Sequence, residues 1–401
     1  MVKSRFLDFA RNDNIWHHLI ARDIHHVRNR KMRYSSHPLQ KRTYLNPYVT
    51  NGINIPEILS CGCDKYRTRS QIDQNSVYQK MISWKETTML EIRPYEASDI
   101  SAVVSLLNRC LTSDPITSEA FQLKVLLDPN FAKFGALVAE IDSKIIGFVL
   151  GIVRKNMLED AAPDFDRSWV TLIAVDAEHR RSRVGTMLLD WIEEYLSLHG
   201  CESIWVSPYA PNYFTPGIDV NAYPEALAFF RSRGYEEAYK PLAMSVDLTG
   251  PTLAAAKEGL LQRSSVTIEP FRPELILPIL DFMKLEFPGD WQRHARETMG
   301  KIATGDFRSD NLWVACEQEK VIGYCQHDNN GRFGPFGVSA KGRGKGIGAA
   351  LLFKCLNAMR DKGLKNAWFM WTDDKAAALY ARAGFVETRR FAVLTKKLPA
   401  A

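Results

Sequence analysis

Apolar and polar positions follow no sustained period through residues 1–88 and become strongly patterned from Met89 onward. "LEIRPYEASDI" (90–100) opens the patterned region with a strand. "ALVAEIDSKIIGFVLGI" (136–152) has two alternating apolar runs around a short polar turn, the pattern of a β-hairpin. "VTLIAVDAEHRRSRVGTMLLDWIEEYLSLHG" (170–200) reads as a strand, a basic turn and a helix with apolar residues at i, i+3 and i+4, stopped by glycine. A strand (204–207), a short helix ending at Gly234 and a closing hairpin (235–247) complete the series.

The series then recurs. "VTIEPFRPELI" and "LWVACEQEKVIGYCQHD" repeat the first strand and the hairpin at an offset of 176, so Gly323 answers Gly147. "GPFGVSAKGRGKGIGAALLFKCLNAMRDKG" repeats the strand, turn and helix at 163, and the last helix (Gly384) and hairpin (385–397) repeat at 150. This is a duplicated domain of about 135–160 residues rather than a solenoid of small repeats. The two falls in offset give the first copy about 13 additional residues before its fourth strand, within "KNMLEDAAPDFDR", and about 13 more in "SPYAPNYFTPGIDVNAYP". The expected organisation is a poorly ordered basic segment 1–88, a first domain 89–248, a helical linker 249–264 and a second domain 265–401. Met89 is a candidate alternative start. The expected class is α/β (α+β), each domain a mixed, mainly antiparallel sheet flanked by helices.

Composition changes this picture little. The 401 residues are 46% hydrophobic and 24% charged, ordinary for a globular chain. No run approaches the roughly 20 apolar residues of a membrane helix, so no membrane partner is expected. The formal charge of +6 is uneven: residues 1–88 hold 15 Lys+Arg against 7 Asp+Glu, or +8, and the rest carries −2. Any nucleic-acid affinity would therefore belong to the segment 1–88 and not to the domains. Cys61-Gly62-Cys63 lacks a second pair or histidines at zinc spacing, and the other cysteines are scattered. That predicts no metal and a reducing, cytoplasmic location.

The candidate chemistry lies in "KGRGKGIG", Lys341 to Gly348. A strand there delivers the chain to a helix start, where unpaired N–H groups and the helix dipole form an anion site. Gly344, Gly346 and Gly348 remove Cβ atoms and permit positive φ, while Arg343 and Lys345 add charge suited to a pyrophosphate. The spacing is neither that of a Walker A loop nor that of a dinucleotide-binding turn.

Arg343-Gly344-Lys345-Gly346-Ile347-Gly348 resembles the acetyl-CoA pyrophosphate turn of the GNAT acetyltransferase superfamily. "DDKAAALYARAGF" resembles its second signature, with Asp373 in the Asn position, then Ala376, Tyr380 and Gly384-Phe385. The resemblance covers 265–398 well and 90–248 more loosely. It implies N-acetyl transfer from acetyl-CoA to a primary amine by direct attack. It also implies a pantetheine arm along Phe336, Gly337 and Val338, a splay between the fourth and fifth strands, and Tyr380 as proton donor to the departing thiolate. Pro335, which suits a bulge or an edge, falls where that family's fourth strand often bulges. Glu286, His294, His327 and Asp328 are candidate bases.

In the first copy Arg180 answers Arg343 and Gly185 answers Gly348. Arg181 and Arg183 replace Gly344 and Gly346, and Phe230 replaces Tyr380. The first domain therefore reads as a degenerate copy, unless Tyr209, Tyr213 or Tyr223 supplies another donor. Its aromatic loop is expected to shape a substrate pocket or the contact with the second copy. The expected acceptor is a small-molecule amine. Protein or peptide acetylation and non-catalytic acyl-CoA binding are the rival readings. The sequence defines no oligomeric state.

Overall fold

A computed structural model describes residues 90–250 and 265–398. The basic segment, Met89 and all of the 249–264 linker beyond its first two residues lie outside the described residues. The described residues belong to one unit, Ile72–Ala401.

In the first copy the order is β1 (Leu90–Pro94), α1 (Ile100–Cys110), α2 (Ser118–Phe121) with a π-helical turn (Gln122–Leu126), β2 (Ala136–Ile141), β3 (Lys144–Val153) and β4 (Arg167–Val175). Then come α3 (Val184–Leu198), β5 (Ser203–Val206), the short β6 (Ile218–Asp219), α4 (Pro224–Ser232), β7 (Glu236–Tyr239) and β8 (Leu242–Asp247). The second copy has β9 (Val266–Pro270), α5 (Ile276–Glu286), α6 (Asp290–Ala303), β10 (Leu312–Glu317), β11 (Lys320–His327), β12 (Phe333–Val338), α7 (Ile347–Asp361), β13 (Asn366–Thr372), α8 (Asp374–Ala381) and β14 (Val386–Lys397). The repeat read from the sequence is thus a repeat of elements. The helix periodicity of 170–200 and 334–363 becomes α3 and α7, each 15 residues long.

The sheets are joined by an exchange of end strands. The path runs β1-β2-β3-β4-β5-β14-β8-β13, and β12-β11-β10-β9 forms the second sheet. The last strand of the second copy lies beside the first copy's β5, with Leu394 opposite Val206 and Lys397 opposite Ser203. The last strand of the first copy lies beside the second copy's β13, with Val246 opposite Ala367. This corrects the expected closing hairpins. Residues 386–397 form one continuous strand, and 236–239 pairs with it rather than with 242–247. The cores follow the exchange: Ala392 and Leu394 are buried among first-copy residues, and Leu242, Met244 and Val246 among second-copy residues. Each large apolar side chain transferred this way contributes about 1.5–3 kcal/mol of burial to the other copy's core. The exchange also places β14, β8 and β13 side by side in one sheet, with β13 at its end.

The two additional segments of the first copy also cross over. In the first, Glu159 pairs with Arg296 at 2.6 Å, Asp160 accepts from Gln292 at 3.0 Å and Glu159 O accepts from Gly289 N at 2.9 Å, docking it on α5 and α6. In the second, β6 pairs with β14 through Asp219 and Phe391, and Asp219 also takes Arg389 at 2.6 Å. Arg389 reaches Asp114 as well, at 2.6 Å and 2.8 Å, a part-buried three-membered ion pair across the copies.

Candidate active site

The second copy's turn has the geometry that its glycines suggest. Gly344 and Gly346 hold φ of +79° and +82°, with no heavy atom of the described residues within 4 Å of where a Cβ would stand. It is backbone conformation, rather than crowding by protein, that favours glycine at both positions. Gly346 caps α7 without a side-chain bond, and the helix ladder begins with Ala350 N to Gly346 O at 3.1 Å. The N–H groups ahead of it have no intrahelical acceptor. Arg343 Nε folds back onto Val338 O at 3.3 Å, Arg343 and Lys345 are exposed, and Ile347 is buried beneath the turn. The Ser339 hydroxyl, at the foot of the turn, is buried without a hydrogen-bond partner among the described residues.

Phe336, Gly337 and Val338 are half-buried on β12. One edge of β12 pairs with β11, Val338 opposite Gly323 and Phe336 opposite Cys325. Toward β13 the connection is one bridge, Arg332 to Trp368, so β12 runs free of β13 beyond it. This is the expected splay. Between the pairs Phe336–Cys325 and Phe333–His327, β12 carries one more residue than β11. The bulge falls at Gly334-Pro335, where the proline suggested it. Gly337 has a packing reason of its own, since a Cβ would stand 2.4 Å from the Phe287 ring.

Asp373 caps α8, accepting from Ala376 N at 2.7 Å. The helix it starts carries Tyr380, which is 9% exposed. The Tyr380 ring packs 4.5 Å from Phe369 and 6.0 Å from Phe336. Burial pushes its phenol pKa up, and Cys325 and Asp373 add to the push. Its hydroxyl therefore keeps its proton through neutral pH.

The four candidate bases separate. Glu286 accepts from Ala340 N at 3.4 Å, beside the turn. His327 is fully buried among Asn311 and Lys362. His294 and Asp328 both lie in the field of Arg332, at the start of β12. Burial lowers the His294 pKa to about 4, so its imidazole is neutral at neutral pH. Burial raises the Asp328 carboxyl.

The first copy repeats the turn's backbone with other side chains. Arg181 and Arg183 hold φ of +63° and +68°, the left-handed values taken by glycine in the second copy. Met187 N meets Arg183 O at 2.9 Å, and Arg180 Nε meets Val175 O at 3.2 Å. Arginine at Arg183 thus leaves the turn's path unchanged, at a conformational cost of about 1–2 kcal/mol per residue. The charge does change. Asp176 and Glu178 stand where Ser339 and Lys341 stand, so 176–183 carries +1 and 339–346 carries +3. Phe230 is buried against Tyr235. The three alternative tyrosines are engaged elsewhere. Tyr209 donates to Asp128 at 3.0 Å, Tyr223 to Asp114 at 2.8 Å, and Tyr213 packs on the second copy's Trp371 at 5.4 Å.

Sequence reasoning missed Arg332, Trp371 and Lys124, which gather around Tyr213. No motif marks them, because the strand exchange and the crossing loop bring them together.

An acetyltransferase (GNAT) domain model matches residues 308–387, and an acetyltransferase (GNAT) family model matches 100–215. No curated protein matches the chain at a significant level. Among solved structures, the chain is similar to the GCN5-related glucosamine N-acetyltransferase region of a fungal multi-domain GH3 beta-N-acetylglucosaminidase, with 18% identity and a TM-score of 0.65. That match covers 78% of this chain and 38% of the fungal one, so this chain spans well under half of that protein. A GCN5-related N-acetyltransferase from Sphaerobacter thermophilus matches with 18% identity over 79% of this chain and 98% of its own, TM-score 0.59. A tandem GNAT protein from the clavulanic acid biosynthesis pathway matches with 15% identity over 78% and 100%, TM-score 0.53. At these identities the likeness is one of fold.

Proposed function

The chain belongs to the GNAT superfamily as a tandem two-domain member, and from that premise we propose that its second copy transfers an acetyl group from acetyl-CoA to the amine of a small molecule. GNAT acetyltransferases use acetyl-CoA as donor and act on amines. The observation that carries the choice of copy is the pairing of the glycine turn with Tyr380, against arginines and Phe230 in the first copy.

The residues present fit the donor. Among the described residues the space beside Gly344 and Gly346 is open and the buried Ser339 hydroxyl lacks a partner, and the turn carries +3. The helix N-terminus, Arg343 and Lys345 would hold the pyrophosphate. The free edge of Phe336–Val338 would pair with the pantetheine amides, and Asp373 would hold the start of α8 beside it. Bound acetyl-CoA supplies the thioester that the amine attacks. Tyr380, kept protonated by burial, would donate to the departing sulfur. The ammonium would lose its proton to water before attack, since a pKa lowered to about 4 leaves the His294 imidazole too weak a base to take it.

A small acceptor is favoured because first-copy segments cover the second copy near the splay. The 155–167 segment docks on α6, and Tyr213 packs on Trp371. The description of the fungal region as a glucosamine N-acetyltransferase also suits a small amine. The test is CoA release over a panel of primary amines and lysine peptides. Turnover with peptides alone would reverse the choice of acceptor, and no binding of acetyl-CoA would reject the reading.

A further inference from the structure

The splay between β12 and β13 has two faces, and acetyl transfer with Tyr380 as donor uses one of them. Tyr380 occupies that face, its ring 6.0 Å from Phe336 on one strand and 4.5 Å from Phe369 on the other. The opposite face is lined by aromatic rings from both copies, and the reaction as derived gives them no part.

On β12 successive positions alternate between the faces, so Gly337 looks away from Tyr380. A Cβ there would stand 3.0 Å from the Trp291 ring and closer still to Phe287. Those two rings stack at 4.6 Å and belong to α6 and to the turn before it. On β13, Phe369 stands opposite Met244 and Thr372 opposite Leu242, three residue steps of β13 against two of β8. Met244 and Leu242 share the core that holds Tyr380. The extra residue turns Trp371 to the other face, the one that carries Trp291. Trp371 keeps 38% of its surface exposed, more than any other aromatic side chain among the described residues. First-copy rings hold it in place: Tyr213 meets it edge-on at 5.4 Å, and Tyr239 lies nearly parallel to it at 6.3 Å. An indole held by two rings and still open to solvent is a preorganised stacking surface.

We propose that Trp371 is a specificity-determining residue that stacks on the apolar face of a ring in the acceptor, so that the acceptor class is a ring-bearing amine, either an amino sugar or an aromatic amine. The inference rests on the second copy's reading as the acetyl-transfer site. Tyr380 takes one face of the splay and leaves the other to the incoming amine. Trp371 is two residues beyond Phe369, and a strand rises about 3.3 Å per residue, so its ring lies on the order of 10 Å from Tyr380. One ring with its amine bridges that distance to the thioester between them. The first copy contributes Tyr213 and Tyr239, which orient the indole.

The test is calorimetric titration of the full chain, first with CoA and then with glucosamine, tyramine and hexylamine. At least one of the two ring-bearing amines should bind more tightly than hexylamine. Trp371→Ala should weaken that amine about fivefold or more, the scale of one aromatic stack, while Trp371→Phe stays within about twofold and CoA affinity is unchanged in both. Trp371→Leu, apolar but without a ring face, should behave as Trp371→Ala does. Tighter binding of glucosamine assigns an amino sugar, and of tyramine an aromatic amine. Hexylamine binding as tightly as both ring-bearing amines overturns the stack, as does binding of neither, or alanine and leucine variants that bind like the original. The same titration keeps the two readings apart: CoA bound with no preference for a ring rejects the stack alone. A Trp371-dependent preference for a ring without CoA binding rejects the acetyl-transfer reading alone.

Discussion

The two turns, 176–183 and 339–346, follow one backbone path and carry different chemistry. Each begins with a short 3-10 turn, folds an arginine onto the last strand carbonyl, takes two left-handed residues and starts a 15-residue helix. In the second copy glycine takes the left-handed positions and the net charge is +3; in the first, arginine takes them and acids reduce the charge to +1. Asp176 is itself paired with Arg109 at 2.8 Å, so an anion is already built into the foot of that turn. One backbone path carries two sets of side chains, so fold similarity between copies says little about which one works.

The largest effect expected is from Tyr380→Phe, which gives the second copy the residue of the first. Turnover should fall by roughly 10²-fold or more with the Kd for acetyl-CoA unchanged.

Acid stability should separate the copies next. His327 is buried beside Lys362 and its pKa is lowered to about 4, while the equivalent position in the first copy is Gly151. Its neutral form is the folded form. The associated stability is therefore complete above the ordinary histidine value near 6.5 and is lost as pH falls toward 4, in all about 3 kcal/mol. Urea unfolding at pH 7 and pH 4.5 should show the loss, His327→Gln should reduce it, and hydrogen exchange should place the opening in β11 rather than β3.

Exchanging the turn residues gives a smaller effect. Gly346→Arg should weaken acetyl-CoA about tenfold by calorimetry and destabilise the chain by about 1–2 kcal/mol. Arg183→Gly should instead stabilise the chain by about 1 kcal/mol, read from the urea midpoint.

The smallest effect is at the contact between copies. Tyr213→Ala should raise the acceptor KM about threefold and leave the acetyl-CoA KM alone. Removing the whole 208–222 loop is a poorer probe, because it takes away the buried Tyr209 and the Asp219–Arg389 pair along with Tyr213.

Much of this was legible in the sequence. The periodicity of 170–200 and 334–363 marked both helices, Pro335 marked the bulge, and the glycines of 344–348 marked the turn. The closing strands misled, since the alternation in 385–397 is satisfied equally by its own sheet or by the neighbour's. Pattern fixes which face of a strand is buried and says nothing of which core receives it. The shift in offset revealed two additional segments in the first copy, while their destinations depended on contacts such as Glu159 with Arg296 that no local rule encodes. The contact of Lys124 with Tyr213 O escaped for the same reason, as it joins segments 89 residues apart. The left-handed arginines could have been inferred by imposing the glycine turn on the aligned first copy.

The central claim is that chemistry belongs to the second copy. It is tested most directly by the turnover of the double variant Tyr380→Phe/Phe230→Tyr, measured as CoA release beside Tyr380→Phe alone. Moving the hydroxyl into the first copy should restore nothing, and both variants should show the same residual rate. Recovery of turnover in the double variant, or full turnover in Tyr380→Phe alone, would contradict the account.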